Sequence, residues 1–337
     1  MGVKDRGRNS RGENLSMTDS KTSGRFQHQK EMLVNRVKKR FKHLHKHFAR
    51  QQITVFRLYD WDIPEIRAVV DWYDGHLVIG EYMRRQSVPE WLPIMGSAVA
   101  DALDVPMENV HLKNRRAGKA DGKRYERIDY TDRKIVVSER DLKFYVNPSD
   151  YVDTGLFSDH RNTRQRMREM ARGKDFLNLY CYTATFSCYA AKGGAKTTLS
   201  VDRSETAIKW GRENLALNRI SGKNHTLIQA DTFDFLETAR SRGQTFDLAV
   251  VDPPSYSTTL DRAQEFDVSK DHPKLLNAVK AVMRGGATLF FSTNHQNFQP
   301  CMEGLKAASV QEITHSTIPA DYISKRKNIH RCWQITI

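Results

Sequence analysis

Residues 175–204 read DFLNLYCYTATFSCYAAKGGAKTTLSVDRS, and their rhythm is strand, helix, strand. The apolar run DFLNLY ends in a polar turn at Cys181-Tyr182-Thr183-Ala184. A helical stretch follows over 184–192, and KTTLSV then closes on Asp202. Downstream, HTLIQA, FDLAVV and ATLFFS repeat the strand pattern, with helical stretches around 204–217, 232–240 and 272–283. Such alternation predicts an α/β fold, a parallel sheet with helices on both faces. At the C-terminus SVQEITHS and IHRCWQITI have only a loop between them, so they are expected to pair antiparallel at an edge.

Ligands in an open α/β sheet bind beyond the C-terminal ends of the strands. Here KTTLSV runs into Asp202, HTLIQA into Asp231, and FDLAVV into Asp252-Pro253-Pro254-Ser255. One aspartate after a strand is usually a turn residue or a helix N-cap. Three at successive strand ends predict a small-molecule cleft along one rim. Asp202, twenty residues after Tyr182, stands where an acidic side chain accepts both ribose hydroxyls; Asp231 stands where an adenine amino group would lie. The first turn has no G-x-G-x-x-G to admit a pyrophosphate, so an adenosine ligand without phosphates, S-adenosylmethionine, fits better than a dinucleotide. Arg161 is expected to clamp the methionyl carboxylate bidentately.

Upstream, the chain changes character. Its 337 residues predict two domains, and its 39% hydrophobic content supplies core for both. The polar N-terminus has no apolar segment of a secretory signal, and no apolar run is long enough for a membrane span. Four cysteines without paired C-x-x-C spacing exclude a zinc framework; Cys181 and Cys188 read as buried thiols of a reducing cytoplasm. The net charge of +14 is concentrated: residues 1–50 carry 14 Lys/Arg against 4 Asp/Glu, the rest 40 against 36. A basic arm on a nearly neutral body is the outline of a nucleic-acid binder.

Four segments are therefore expected: a disordered basic tail over 1–25, a basic amphipathic helix over 26–50, an α+β unit for RNA recognition over 51–148, and the cofactor domain over 149–337. In the helix, Val34, Val37, Phe41, Leu44 and Phe48 form the apolar stripe, while Lys38, Lys39, Lys42 and Lys46 face outward. Arg115, Arg116 and Lys119, in the basic segment 115–127, are candidate phosphate contacts. His43, His45 and His47 include a metal-compatible spacing, but no third ligand lies nearby and no metal is expected.

The motifs YVDTGLFSDHR (151–161), FLNLYCYTATFS (176–187), VDRS (201–204), NLALN (214–218), QADTFDFL (229–236), DPPSYS (252–257), FDVSKDH (266–272), FSTN (291–294) and IHRCW (329–333) complete the reading. In order and spacing they resemble class I S-adenosylmethionine-dependent rRNA methyltransferases, specifically the K, guanine-N7 half of the bacterial large-subunit K/L family. The resemblance runs from about Leu33 to Ile337. It implies a seven-stranded Rossmann-like sheet with an antiparallel C-terminal edge pair, beside a smaller N-terminal α+β domain. It implies cofactor contacts from Phe157, Asp159, Arg161, Tyr180, Tyr182, Thr183, Asp202, Asp231 and Asp252, with Asn178, Ala184, Arg203, Ser204 and Thr232 beside them. One position departs: the family has glycine after Tyr-Thr and this chain has Ala184, so a methyl group either meets the cofactor or sits at positive φ.

Asp252, Pro253, Pro254, Ser255 and Tyr256 are the candidate catalytic loop. The prolines fix the backbone, Asp252 holds a planar base edge, and Tyr256 stacks on it. Guanine N7 has its own lone pair and needs alignment with the methyl group, not a general base. Methylation at carbon needs a cysteine thiolate, and neither DPPSYS nor FSTN contains one. The alternatives are methylation of an exocyclic amino group (guanine N2 or adenine N6) and a non-catalytic RNA-binding assembly protein. The expected partners are 23S rRNA or a large-subunit precursor, and a separate L-type guanine-N2 enzyme. About 25 polar N-terminal residues leave no room for a second methyltransferase domain, so a free-standing, cytoplasmic K-type enzyme is expected, with S-adenosylhomocysteine as its by-product.

Overall fold

The computed structural model describes residues 11–115, 127–257, 266–324 and 326–337, with backbone alone for 11–23. Helix α1 (Arg11–Ala49) begins well before the expected start at 26. Nothing between 11 and 25 breaks a helix: the segment has no proline, and its two glycines, Gly12 and Gly24, are tolerated. The apolar side chains that α1 buries are Leu33, Val37, Leu44 and Phe48, with Phe41 partly covered; the stripe thus runs through Leu33 rather than Val34.

The helix covers a four-stranded sheet of β1 (Val55–Asp60), β2 (Ala68–Tyr73), β3 (His76–Tyr82) and β4 (Val110–Arg115), in that order. Asp74-Gly75 turns β2 into β3, both residues at positive φ, as a tight hairpin requires. Helix α2 (Trp91–Ala102) crosses over so that β4 lies parallel to β3. Strands β5 (Ile135–Glu139) and β6 (Leu142–Val146) form a separate hairpin. The hairpin packs Val137, Leu142, Phe144 and Val146 between Val55 and Tyr73 of the first sheet and Tyr189 and Leu215 of the second unit.

That unit comprises α3 (Arg161–Met170), β7 (Asp175–Leu179), α4 (Thr185–Lys192), β8 (Thr197–Asp202), α5 (Glu205–Leu217), β9 (His225–Gln229), α6 (Thr232–Ser241) and β10 (Phe246–Val251). The short pair β11 (Tyr256–Ser257) and β12 (Phe266–Asp267) follows, then α7 (Val268–Lys280), β13 (Met283–Thr293), β14 (Ser309–Glu312), α8 (Thr314–Thr317) and β15 (Arg331–Thr336). Helix α7 starts at Val268 rather than 272, because Asp267 caps it by accepting from Ser269 N (2.9 Å) and so places Pro273 inside the helix.

The seven strands run β14-β15-β13-β10-β7-β8-β9. Strands β13, β10, β7, β8 and β9 are parallel, while β15 pairs antiparallel with both β13 and β14. Side chains alternate between the two faces. Leu177, Leu179, Ala249 and Val251 pack with Phe235, Leu236 and Leu275 of α6 and α7. Phe176, Leu248 and Val250 pack with Met167 and Ala190 of α3 and α4. From β7 the chain builds β8 and β9 on one side, then β10 and β13 on the other. The connections diverge between β7 and β10, and a crevice opens at the carboxyl ends where they part.

Candidate methyl-donor and base site

A cavity of about 390 Å³ fills that crevice. Tyr180, Cys181 and Tyr182 after β7, Asp202, Arg203 and Ser204 after β8, Asp252, Pro253, Pro254 and Tyr256 after β10, and Asn294 after β13 line it. Asp153, Phe157, Asp159 and His160 close it from the segment before α3.

The loop after β7 is backbone-strained. Tyr180, Tyr182 and Ala184 all have positive φ (56, 48 and 58°), a conformation costly for residues with a Cβ. Tertiary contacts hold it. Asp202 Oδ2 accepts from Tyr182 N and Oδ1 from Ser204 N, both at 2.9 Å. Thr183 Oγ1 donates to Gly155 O (2.6 Å), and Asn214 Nδ2 donates to Thr183 O (3.0 Å). Gly155 itself sits at φ 101° with Trp210 so close that a Cβ would lie 2.3 Å from its ring, so no other residue fits there.

Asp202 is 7% exposed, and burial raises its carboxyl pKa. Its oxygens accept from the backbone N–H groups of Tyr182 and Ser204, with Arg203 N contributing too, and a carboxylate has about four acceptor sites, so capacity remains for a hydroxyl in the cavity. Phe157 and Tyr182 stand near each other (ring centroids 5.3 Å) as an aromatic wall. A cavity of this size, one paired carboxylate and flat apolar walls fit a nucleoside.

Asp252 is fixed from behind. Its Oδ1 accepts from Ser292 Oγ at 2.6 Å, and its Oδ2 lies 3.5 Å from His160 Nε2. His160 stacks on His330 (centroids 4.2 Å, 11° between planes), and His330 Nδ1 is 3.0 Å from Asp159 Oδ2. Burial works against charge on Asp159, but His160 and the hydrogen bond from His330 outweigh it and hold the carboxyl well below its usual range. Burial also lowers the His160 pKa, against the opposing pull of Asp252. Asp159, His160 and His330 lie close enough to suggest a metal centre. Yet the two rings are nearly parallel, so one ion cannot lie in both ring planes at about 2.0–2.1 Å from each nitrogen. The group reads as a packed brace, with the His160 ring, stacked on His330, standing against Asp252 Oδ2.

Several predicted site residues lie elsewhere. Arg161 is 1% exposed and points away from the cavity. It donates to Asp321 Oδ1 (3.0 Å) and Val55 O (2.6 Å), because the N-terminal sheet buries the start of α3. Asp231 is the N-cap of α6, accepting from Phe233 N (2.8 Å) and Asp234 N (3.4 Å), and neither it nor Thr232 lines the cavity. Thr183 and Ala184 are buried behind the loop, and Ser255 reaches the cavity only through Asn294. Arg115 is half-buried, with an Nε that has no partner among the described residues; Arg116 and Lys119 lie outside them. His43, His45 and His47 are exposed, as are Lys38, Lys39, Lys42 and Lys46.

Asn178, on β7, lines the cavity and donates through Nδ2 to Ser187 Oγ (2.9 Å). Residues the sequence reading missed are His160, His330, Ser292 and Asn294. All lie in the quoted motifs FSDHR, IHRCW and FSTN, which was the available signal. Burial and Asp202 push the Cys181 thiol well above its ordinary pKa, so this cavity cysteine is no thiolate nucleophile.

The Ala184 methyl faces α5: a Cβ on Gly211 would stand 3.1 Å from it. The glycine opposite thus makes the room that the alanine takes. Ala184→Gly should therefore leave S-adenosylhomocysteine affinity within about twofold. Relief of roughly 1–2 kcal/mol of backbone strain, about half of it offset by about 0.4–1 kcal/mol of added unfolded-state entropy, bears on folding stability; affinity is untouched because the methyl faces α5 rather than the ligand. Calorimetry checks it; markedly tighter binding by the variant would mean that the methyl obstructs the ligand.

A nucleoside-sized crevice at the switch point of this sheet defines a class I methyltransferase fold. Comparison with known proteins agrees. The profile of the S-adenosylmethionine-dependent methyltransferase family matches residues 70–315. The ribosomal RNA large subunit methyltransferase K of Neisseria meningitidis is 38% identical over 307 residues, 90% of this chain and 86% of its own length. The ribosomal RNA large subunit methyltransferase K/L of Vibrio cholerae is 40% identical over 310 residues, 90% of this chain, which spans 43% of that longer protein. A solved structure from Streptococcus mutans, described as an S-adenosylmethionine-dependent methyltransferase, shares the fold with a TM-score of 0.72. It is 23% identical and covers 91% of this chain and 81% of its own. The chain belongs to the S-adenosylmethionine-dependent methyltransferases, in the family of the large-subunit K proteins.

Proposed function

We propose that this chain methylates N7 of a guanine in 23S rRNA, using S-adenosylmethionine and releasing S-adenosylhomocysteine. The observation that carries the reading is the pairing of two differently held carboxylates in one cavity: Asp202, with acceptor sites left for ribose, and Asp252, braced by Ser292 and His160. The cofactor supplies an electrophilic methyl group on sulfur. Asp202 holds the ribose, Phe157 and Tyr182 flank the adenine, and ionised Asp159 faces the methionyl ammonium. Asp252-Pro253-Pro254 and Tyr256 align the base. The Asp252 carboxylate is engaged from behind, so its role is electrostatic: its charge stabilises the cation that forms when N7 is alkylated. No residue need remove a proton, because N7 carries none.

The RNA is held by the exposed cations of α1. Lys38, Lys39, Lys42 and Lys46 stand clear of the core that Val37 and Leu44 enter. Reversing Lys38, Lys39 and Lys42 to glutamate should weaken RNA binding and make the salt dependence shallower by roughly two to three log units per log salt. S-adenosylhomocysteine binding should be unchanged. Filter binding across salt concentrations measures it; an unaltered slope would leave α1 with a structural role only.

We place the reaction in the cytoplasm, on 23S rRNA or a large-subunit precursor whose target base is not yet stacked, since extruding a stacked base costs a few kcal/mol. No helix among the described residues is long and apolar enough to cross a membrane. The decisive experiment is nucleoside mass spectrometry of rRNA from a deletion strain, followed by primer extension at any lost modification. Loss of 7-methylguanosine from 23S rRNA supports the reading; an unchanged modification profile sinks it.

A further inference from the structure

Asn294 follows β13 and faces the cavity beside the Asp252-Pro253-Pro254 turn. Its carboxamide is oriented. Ser255 Oγ donates to Asn294 Oδ1 at 2.7 Å, which commits the oxygen to the loop and leaves Nδ2, with two N–H donors, for the open side. Asp252, beside it at the end of the neighbouring strand, offers only acceptor atoms; its Oδ1 accepts from Ser292 Oγ and its Oδ2 lies 3.5 Å from His160 Nε2. The base-proximal wall therefore presents one fixed negative group and one fixed amide donor.

Guanine and adenine share N7 but differ beside it. Guanine carries the acceptor O6; adenine carries the donor N6–H2. A base whose N7 faces the methyl group brings its 6-substituent to the adjacent wall. An amide donor there accepts guanine and leaves the adenine amino group facing another donor, while a carboxylate would do the reverse. We infer that Asn294 is a specificity-determining residue that donates from Nδ2 to O6 of the target guanine, with Ser255 as the positioning residue that holds the amide the right way round. This inference rests on the guanine-N7 reading above.

The test uses the full chain and a 23S rRNA fragment spanning the mapped target, synthesised with guanine, inosine or 2,6-diaminopurine at that position. All three keep N7; guanine and inosine keep O6, and diaminopurine replaces it with an amino group. Wild-type protein should methylate guanine and inosine at similar rates and diaminopurine about 10–100-fold more slowly, the range of one good base contact. Asn294→Asp should lower the guanine rate by a similar factor and narrow or invert the guanine-to-diaminopurine ratio, with S-adenosylhomocysteine affinity unchanged. Ser255→Ala should reduce the ratio less. A purely structural Asn294 would lower all three rates by one factor and leave the ratio intact, and that result overturns the proposal. So does a wild-type enzyme indifferent to the 6-substituent. Mass spectrometry of each product separates the two layers: methyl found at an atom other than N7 removes the guanine-N7 reading itself, whereas N7 product with an unchanged ratio removes only the role of Asn294.

Discussion

Asp202→Asn should reduce S-adenosylhomocysteine affinity by about 10–150-fold while the protein stays folded. Charge-assisted hydrogen bonds to ribose are at stake, each worth about 1.5–3 kcal/mol. Loss of one by its full amount is a factor of about 10–150. The substitution is chosen because alanine would also free the loop: Asp202 anchors Tyr182 N and Ser204 N, and Tyr182 is one of the positive-φ residues of that loop. Asparagine can accept at Oδ1 but presents N–H donors at the other position, so one of those backbone N–H groups or one ribose hydroxyl must lose its acceptor. Calorimetry reads the affinity and circular dichroism the fold. Wild-type affinity would mean that the adenosine end of the ligand lies elsewhere in the cavity.

The strand ends were legible in the sequence because local rules made them so. A β-strand that stops at an aspartate, followed by a helix, announces itself, and three such ends announce a rim. A place in the cavity was legible for Asp202 and Asp252, which line it, but not for Asp231, which caps the helix that follows it. The two roles share one sequence signature; only the direction of the side chain separates them. Arg161 shows a second limit. Its partner Asp321 is 160 positions away, and nothing local tells a buried arginine from one facing a ligand. The His160–His330 stack likewise joins residues from the two ends of the catalytic unit. Sheet order was partly legible: the antiparallel edge pair follows from a short connection, but the insertion of β15 between β13 and β14 depends on packing across the whole sheet. The early start of α1 lies in a segment with few large apolar residues, which an apolar-stripe reading cannot detect.

The misread arginine leads to the largest expected loss of stability, at Glu139. This carboxylate ends β5 with 0% exposure and accepts from Arg164 Nε and Nη2, both at 2.8 Å, and from Tyr189 Oη at 2.9 Å. Arg161 Nε lies 3.5 Å away, and Arg161 continues to Asp321, whose Oδ2 accepts from Arg57 N. One buried ionic chain thus runs from the hairpin through α3 to β1, joining the two sheets. Glu139→Gln leaves Arg164 and Arg161 with one buried negative charge too few and sets an amide donor against a guanidinium. Breaking a buried pair in this way costs about 3–5 kcal/mol. For a cooperative unfolding unit of this chain's length that is a fall in Tm of about 4–7 °C. The pH dependence has a definite sign. Burial tends to raise the Glu139 pKa, but Arg164 outweighs it and holds the group below its ordinary 4.5. A depressed carboxyl stabilises the fold fully above its unfolded pKa, and that contribution is lost as pH falls through the folded value. Wild-type and variant should therefore differ most near neutral pH and draw together as pH falls below the group's ordinary 4.5 and through its lowered folded value. Scanning calorimetry between pH 3 and 7 makes the comparison. Parallel curves with a constant offset would assign the loss to packing rather than charge. An unchanged Tm together with weakened cofactor binding would return these arginines to the ligand site.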